Sequence, residues 1–169
     1  MRSTVLSLML AAVVAAPAYA DDKATKEMAG MDMTKAGNLM IHEPWARASL
    51  GQTPNSAAYM VLEIMGEEPD RLLGGSTPMA GKVELHTHMI EDGVAKMRPV
   101  EVIEIQPGEP TVLEPGGLHL MLMGLTEKLE AGKTMELTLV FDDAGDVTLD
   151  IPIKGLRDAG HASHGHGTN

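Results

Sequence analysis

Apolar and polar residues that alternate with period two, interrupted every few residues by glycine or proline, limit this chain more than any other feature. The alternation runs through Val83-Glu84-Leu85-His86-Thr87-His88, Leu118 to Met123, Met135 to Phe141 and Val147 to Ile153. That period sends successive side chains to opposite faces of a strand. Ser56 to Met65 reads as a further, buried strand, and shorter ones are expected at Arg71 to Leu73, Val100 to Ile105 and Thr111 to Leu113. No stretch has the spacing of a convincing amphipathic helix. Seven or eight short strands from Met40 onward, separated by Gly/Pro turns, predict an all-β sandwich. Only 2% of the residues are aromatic, so aliphatic and methionine side chains must fill the core, and Met60 and Met65 are both expected there.

The ends of the chain read differently from this middle. Arg2, an apolar run from Val5 to Ala16 and the small-residue pattern Ala18-Tyr19-Ala20 predict a secretory signal peptide cleaved after Ala20. That run is shorter than the roughly 20 residues a transmembrane helix needs, so no membrane insertion is expected after cleavage. Residues 21–38 are expected to be a flexible leader, 39–154 the folded domain, and 155–169 a His-rich tail. Such an organisation implies export to the periplasm.

With the 20 leader residues removed, 12 Lys and Arg face 24 Asp and Glu, a net charge of −12. An acidic surface of that kind argues against nucleic acid or anionic membrane as a partner. Cysteine is absent, which excludes disulfides, anchoring through a lipidated cysteine, and a blue-copper site with its thiolate ligand. No nucleophile with a base, no phosphate-binding glycine loop and no paired catalytic acids are present, so an enzyme is not expected. A polysaccharide monooxygenase is further disfavoured because its N-terminal histidine is missing from a mature chain starting Asp21-Asp22-Lys23.

Chemistry concentrates between His86 and Met121. His86 is followed by ten residues and Met97, then by twenty-one residues and His119-Leu120-Met121. Imidazole and thioether without thiolate form a donor set suited to Cu(I), because thioether sulfur is soft and uncharged. A strand over 117–123 would turn His119, Met121 and Met123 to one face and three leucines to the other, with His119 and Met121 roughly 6.6 Å apart along it. Asp92-Gly93 is a two-residue hairpin signal that folds Met97 back towards the histidines. Register counting across that turn sets Met97 directly opposite His88, with His86 only a diagonal neighbour. Counting alone therefore favours His88 over His86, and a bulge or longer loop would change the choice.

The spacing His86-x10-Met97-x21-His119-x-Met121 closely resembles the PCuAC family of periplasmic copper chaperones. It is set among Glu84-Leu85-His86, Gly93 to Pro99 and Pro115 to Leu125. The resemblance extends over about Ile41 to Ile153. It implies a cupredoxin-like Greek-key β-sandwich and one Cu(I) held by His86, Met97, His119 and Met121, settling the register ambiguity for His86. It further implies delivery of copper to the copper A domain of cytochrome c oxidase, alongside or through a Sco-type thiol protein. Sequestration for copper tolerance, with no dedicated delivery partner, is the alternative.

Both flanks carry further candidate ligands. Met28, Met31 and Met33 lie in a segment with little core to fill, where accessory Cu(I) capture and a tolerated linker are the two readings. His161, His164 and His166 form a short imidazole tract suited to divalent metal, Cu(II) binding tightest among the common ions. A solubilising tail is the plain reading of the same residues. His42 is expected to be solvated and Trp45 to pack at the edge of the core.

Overall fold

A computed structural model describes residues 33–155, apart from 52 and 92. Eleven strands and no helix are found among these residues: β1 (Met33–Ala36), β2 (Leu39–Arg47), β3 (Asn55–Ile64), β4 (Asp70–Ser76), β5 (Ala80–Glu91), β6 (Val94–Val100), β7 (Ile103–Ile105), β8 (Thr111–Leu113), β9 (His119–Leu125), β10 (Thr134–Phe141) and β11 (Asp146–Lys154). Seven of them close a ring in the order β2-β11-β10-β4-β5-β9-β3, with β3 pairing back onto β2. β1, β6, β7 and β8 extend it from β2, β5, β4 and β3.

The ring is pinched at two joints, which divide it into the two faces of a sandwich. β4 meets β5 through the single pair Gly75↔Val83, and β11 meets β2 through two parallel pairs, Ile153↔Ala46 and Lys154↔Arg47. At the first joint Gly75 also pairs with Leu139 of β10. A Cβ on Gly75 would stand 2.7 Å from the Thr138 carbonyl oxygen, so only glycine lets β4 pass this close to β10 while turning towards β5.

The alternation that defines the strands fills the space between the faces. Leu120 and Leu122 of β9, Leu85 of β5 and Ala58, Met60 and Leu62 of β3 are all buried. From the other face Leu137, Leu139, Leu149, Ile151 and Leu72 join the same apolar cluster. Each of the leucine, isoleucine and methionine side chains contributes about 1.5–3 kcal/mol on burial. Asp70 is the one buried carboxylate among the described residues. Its buried carboxylate accepts backbone N–H groups of Arg71, Asp143 and Ala144 at 2.7, 2.9 and 3.1 Å, tying the β10–β11 loop to the start of β4.

Several details differ from the sequence-based expectation. Met33 to Asn38 does not belong to a flexible leader: β1 pairs with β2 through Ala36↔Leu39, closed by the two-residue turn Gly37-Asn38. The run Val100 to Ile105 is two strands rather than one, because the chain leaves β5 after Val100 and pairs with β4 from Ile103. Met65 is 62% exposed, since it lies one residue beyond the end of β3 and is held there by its N–H bond to the Asn38 carbonyl. Met60 is buried as expected. His42 is half-buried and bonded to Glu63 at 3.1 Å rather than simply solvated.

Candidate metal centre

The outer face of β6, β5 and β9 gathers the chemistry-bearing side chains. With Leu120 and Leu122 turned into the core, strand geometry sends His119, Met121 and Met123 to the opposite face. Register then fixes their neighbours. His119 stands directly across from His86, and Met121 lies between Glu84 on one side and Ala57 on the other. The β5–β6 hairpin closes with Glu91↔Val94, so residues 92 and 93 are its two turn residues; Asp92 itself lies outside the described residues. Gly93 has φ +77°, which such a turn requires. No bulge intervenes. Met97 therefore pairs with His88, and His86 pairs with Pro99.

Three imidazoles result where the resemblance implies two. The His119 ring lies 5.9 Å from His86 and 5.3 Å from His88, centroid to centroid, nearly parallel to the latter at 29°. Met97 and Met121 flank the His86–His119 pair on opposite sides, each diagonal to His86. Met97 is 41% exposed and Met121 partly buried. Met33, the only described member of the leader cluster, stands opposite His42 on β1 and is exposed. Residues 1–20, Met28, Met31, His161, His164 and His166 lie outside the described residues.

Hydrogen bonds set which ring nitrogens are free. His119 is 2% exposed, and its Nδ1–H donates to the Gly117 carbonyl at 3.0 Å, leaving Nε2 with its lone pair. Burial lowers the affinity of this ring for a proton below its ordinary value. The Gly117 hydrogen bond opposes that shift, and His88, His86 and Arg47 add to it. A neutral imidazole is the form that ligates a metal. His86 directs Nε2–H at the Glu84 carboxylate, 2.9 Å away. Glu84 in turn is held below the usual carboxylate range by Lys82 first and His86 second. Nδ1 of His86 and Nδ1 of His88 are buried without any hydrogen-bond partner.

Orphaned buried nitrogens cost about 1–3 kcal/mol each unless something accepts or supplies their bond. A metal ion drawing on those lone pairs would satisfy them. Among the described residues, no three His, Cys, Asp or Glu side chains converge on one point as they stand. A centre here therefore requires methionine sulfur, rotation of the rings, or both. Two aromatic residues continue the row beyond His119: Tyr59 at 6.4 Å, and Trp45 tilted by 39° and 4.5 Å from Tyr59, with the Lys154 ammonium 5.7 Å from its ring. Burial pushes the Tyr59 phenol up, so it stays neutral.

Sequence reading missed the Glu84 contact and the Trp45–Tyr59 row. The first was accessible in principle, since Glu84 and His86 are two apart on one strand and share a face. For the second, a bulge in β2 after His42 shifts the register by one residue, which alternation cannot foresee.

Fold and site together define a cupredoxin-like β-sandwich with a His/Met cluster on one outer sheet face. The chain belongs to the LpqE-like family, whose model matches residues 39–153. Among its relatives is Lxx21020 of Leifsonia xyli subsp. xyli, which carries a lipoprotein name, 29% identical over 127 residues that cover 74% of this chain and 75% of that protein. Its structural neighbours are PCuAC domains. The copper-bound PCuAC domain from PmoF2 matches with TM-score 0.64 and 28% identity, covering 74% of this chain and 99% of that one. The Cu(I) form of DR1885 from Deinococcus radiodurans matches with TM-score 0.57 and 28% identity, over 77% and 85% of the two chains.

Proposed function

We propose that this protein is an exported copper chaperone that holds one Cu(I) between His86, Met97, His119 and Met121. It releases the metal by ligand exchange to the copper A domain of cytochrome c oxidase, directly or through a Sco-type protein. The reading rests on one observation above all: residues scattered over 36 positions of sequence meet on one face of three adjacent strands, with His86 opposite His119. Two neighbours of the same fold are named for their copper.

The donor set suits transfer. Nδ1 of His86 and Nε2 of His119 are the nitrogens left free by Glu84 and Gly117. Neutral thioethers bind Cu(I) without the charge of a thiolate, and Met97 stands at the exposed edge, where an incoming thiolate or imidazole reaches it first. Displacement of Met97, then Met121, with the buried His119 last, orders the release.

Cu(I) titration of the full chain against a competing chelator, with His161, His164 and His166 replaced by alanine, tests the site. One tight equivalent is expected, lost in Met97→Ala and in His119→Ala. Retention of that equivalent in both variants would sink the four-ligand assignment. Incubating the loaded protein with an apo copper A domain then separates delivery from sequestration, because a sequestering protein keeps its metal.

A further inference from the structure

We infer that His88 is a third imidazole ligand, one that gives the same centre a Cu(II)-binding form distinct from its Cu(I) form. The inference rests on the copper reading above and adds a residue to it. His88 and Met97 are cross-strand partners in one register pair. A nitrogen donor and a sulfur donor therefore stand at the same level, one step along the strands from the His86–His119 pair, and a bound metal can draw on either. Imidazole nitrogen suits Cu(II) and thioether sulfur suits Cu(I), so the oxidation state of the metal chooses between them.

Three features of the site point the same way. The His88 ring lies 5.3 Å from His119, closer than His86 does at 5.9 Å. Its Nδ1 is buried and has no partner, as is that of His86. Both nitrogens belong to rings packed against His119, and one shared acceptor of their lone pairs would satisfy the two together. His86 is oriented by Glu84 and His119 by Gly117, but among the hydrogen bonds of the described residues none orients His88. It is the one ring of the three that no hydrogen bond among the described residues holds in place. Rotation of this ring is the movement by which three nitrogens that do not yet converge are brought together.

In the Cu(II) form His86, His88 and His119 supply three nitrogens. In the Cu(I) form Met97 and Met121 take the place of His88. The metal arrives in either state, and no electron transfer by the protein is required.

The test uses the full chain with His161, His164 and His166 replaced by alanine, loaded separately with Cu(II) and Cu(I). One Cu(II) equivalent is expected, with paramagnetic resonance showing coupling to three nitrogens. His88→Ala and His88→Gln should each weaken Cu(II) by at least the roughly tenfold typical of losing even an outer-shell partner. Coupling should fall to two nitrogens, with Cu(I) affinity close to the parent. Cu(II) binding unchanged in both variants, or Cu(I) and Cu(II) weakened alike, would overturn the inference. So would a parent that binds Cu(I) but no Cu(II), and in that case the chaperone reading survives. A parent that binds neither removes both.

Discussion

Glu84 governs how well the centre is organised at the level of single atoms. Its carboxylate accepts the Nε2–H of His86 and is itself paired with Lys82. That fixes the tautomer with a free lone pair on Nδ1, the arrangement metal-bound histidines ordinarily rely on. Glu84→Gln keeps a hydrogen-bond acceptor but removes the charge, and is expected to lower Cu(I) affinity about 10- to 100-fold. The melting temperature should stay near that of the parent, since the side chain lies at the surface. Chelator competition reads the first quantity and thermal denaturation the second; unchanged affinity would make Glu84 a bystander. At this scale much of the site was legible. Alternation alone assigned His119 and Met121 to one face and Leu120 and Leu122 to the core, and counting back from Gly93 put Met97 opposite His88. Which nitrogen each ring presents was not legible, because it depends on rotamers and on a carbonyl two residues away. Met65 misled for a similar reason: its neighbours are apolar, but the strand ends one residue before it.

Pairing between elements separates the turns that sequence announces from those it conceals. Asp92-Gly93 marks the β5–β6 hairpin openly. The break between β6 and β7 has no glycine or proline at Glu101-Val102, and only the competing edge of β4 draws the chain away. Asp70 belongs to this scale. Its buried carboxylate accepts the N–H of its neighbour Arg71 and joins β4 to the β10–β11 loop through two further backbone donors, Asp143 and Ala144. Asp70→Ala strands those N–H groups at roughly 1–3 kcal/mol each, less whatever water recovers. The expected loss is about 2–4 kcal/mol in urea unfolding, with Asp70→Asn losing roughly half because one carbonyl oxygen still accepts. A change below about 0.5 kcal/mol, the scale of an ordinary surface substitution, would show that the loop is held by other contacts.

Closure of the ring decides where the proposed metal centre stands in the fold. β9 is inserted between β3 and β5 although some fifty residues separate it from the former, and that non-local pairing is what sets His119 against His86. Nothing in the local pattern specifies it; the all-β class followed from alternation, whereas this neighbour relation entered only through the resemblance of the spacing. One consequence is that a metal bound by β5, β6 and β9 would clamp three strands of one sheet, including the β6 edge, which makes no other strand pairing among the described residues. The unfolded chain cannot present ligands so far apart in sequence at one point, so the ion binds the folded state preferentially. At free Cu(I) one hundred times the dissociation constant, stability should rise by about 2.7 kcal/mol, and by about 4.1 kcal/mol at one thousand times. Titrating the melting temperature against buffered Cu(I) measures this. The slope should vanish in His119→Ala, which removes the buried imidazole of the proposed site, and persist when His161, His164 and His166 are replaced. No slope at all in the parent, with copper still bound, would move copper binding off the sandwich altogether, since metal held outside the fold does not distinguish folded from unfolded chain.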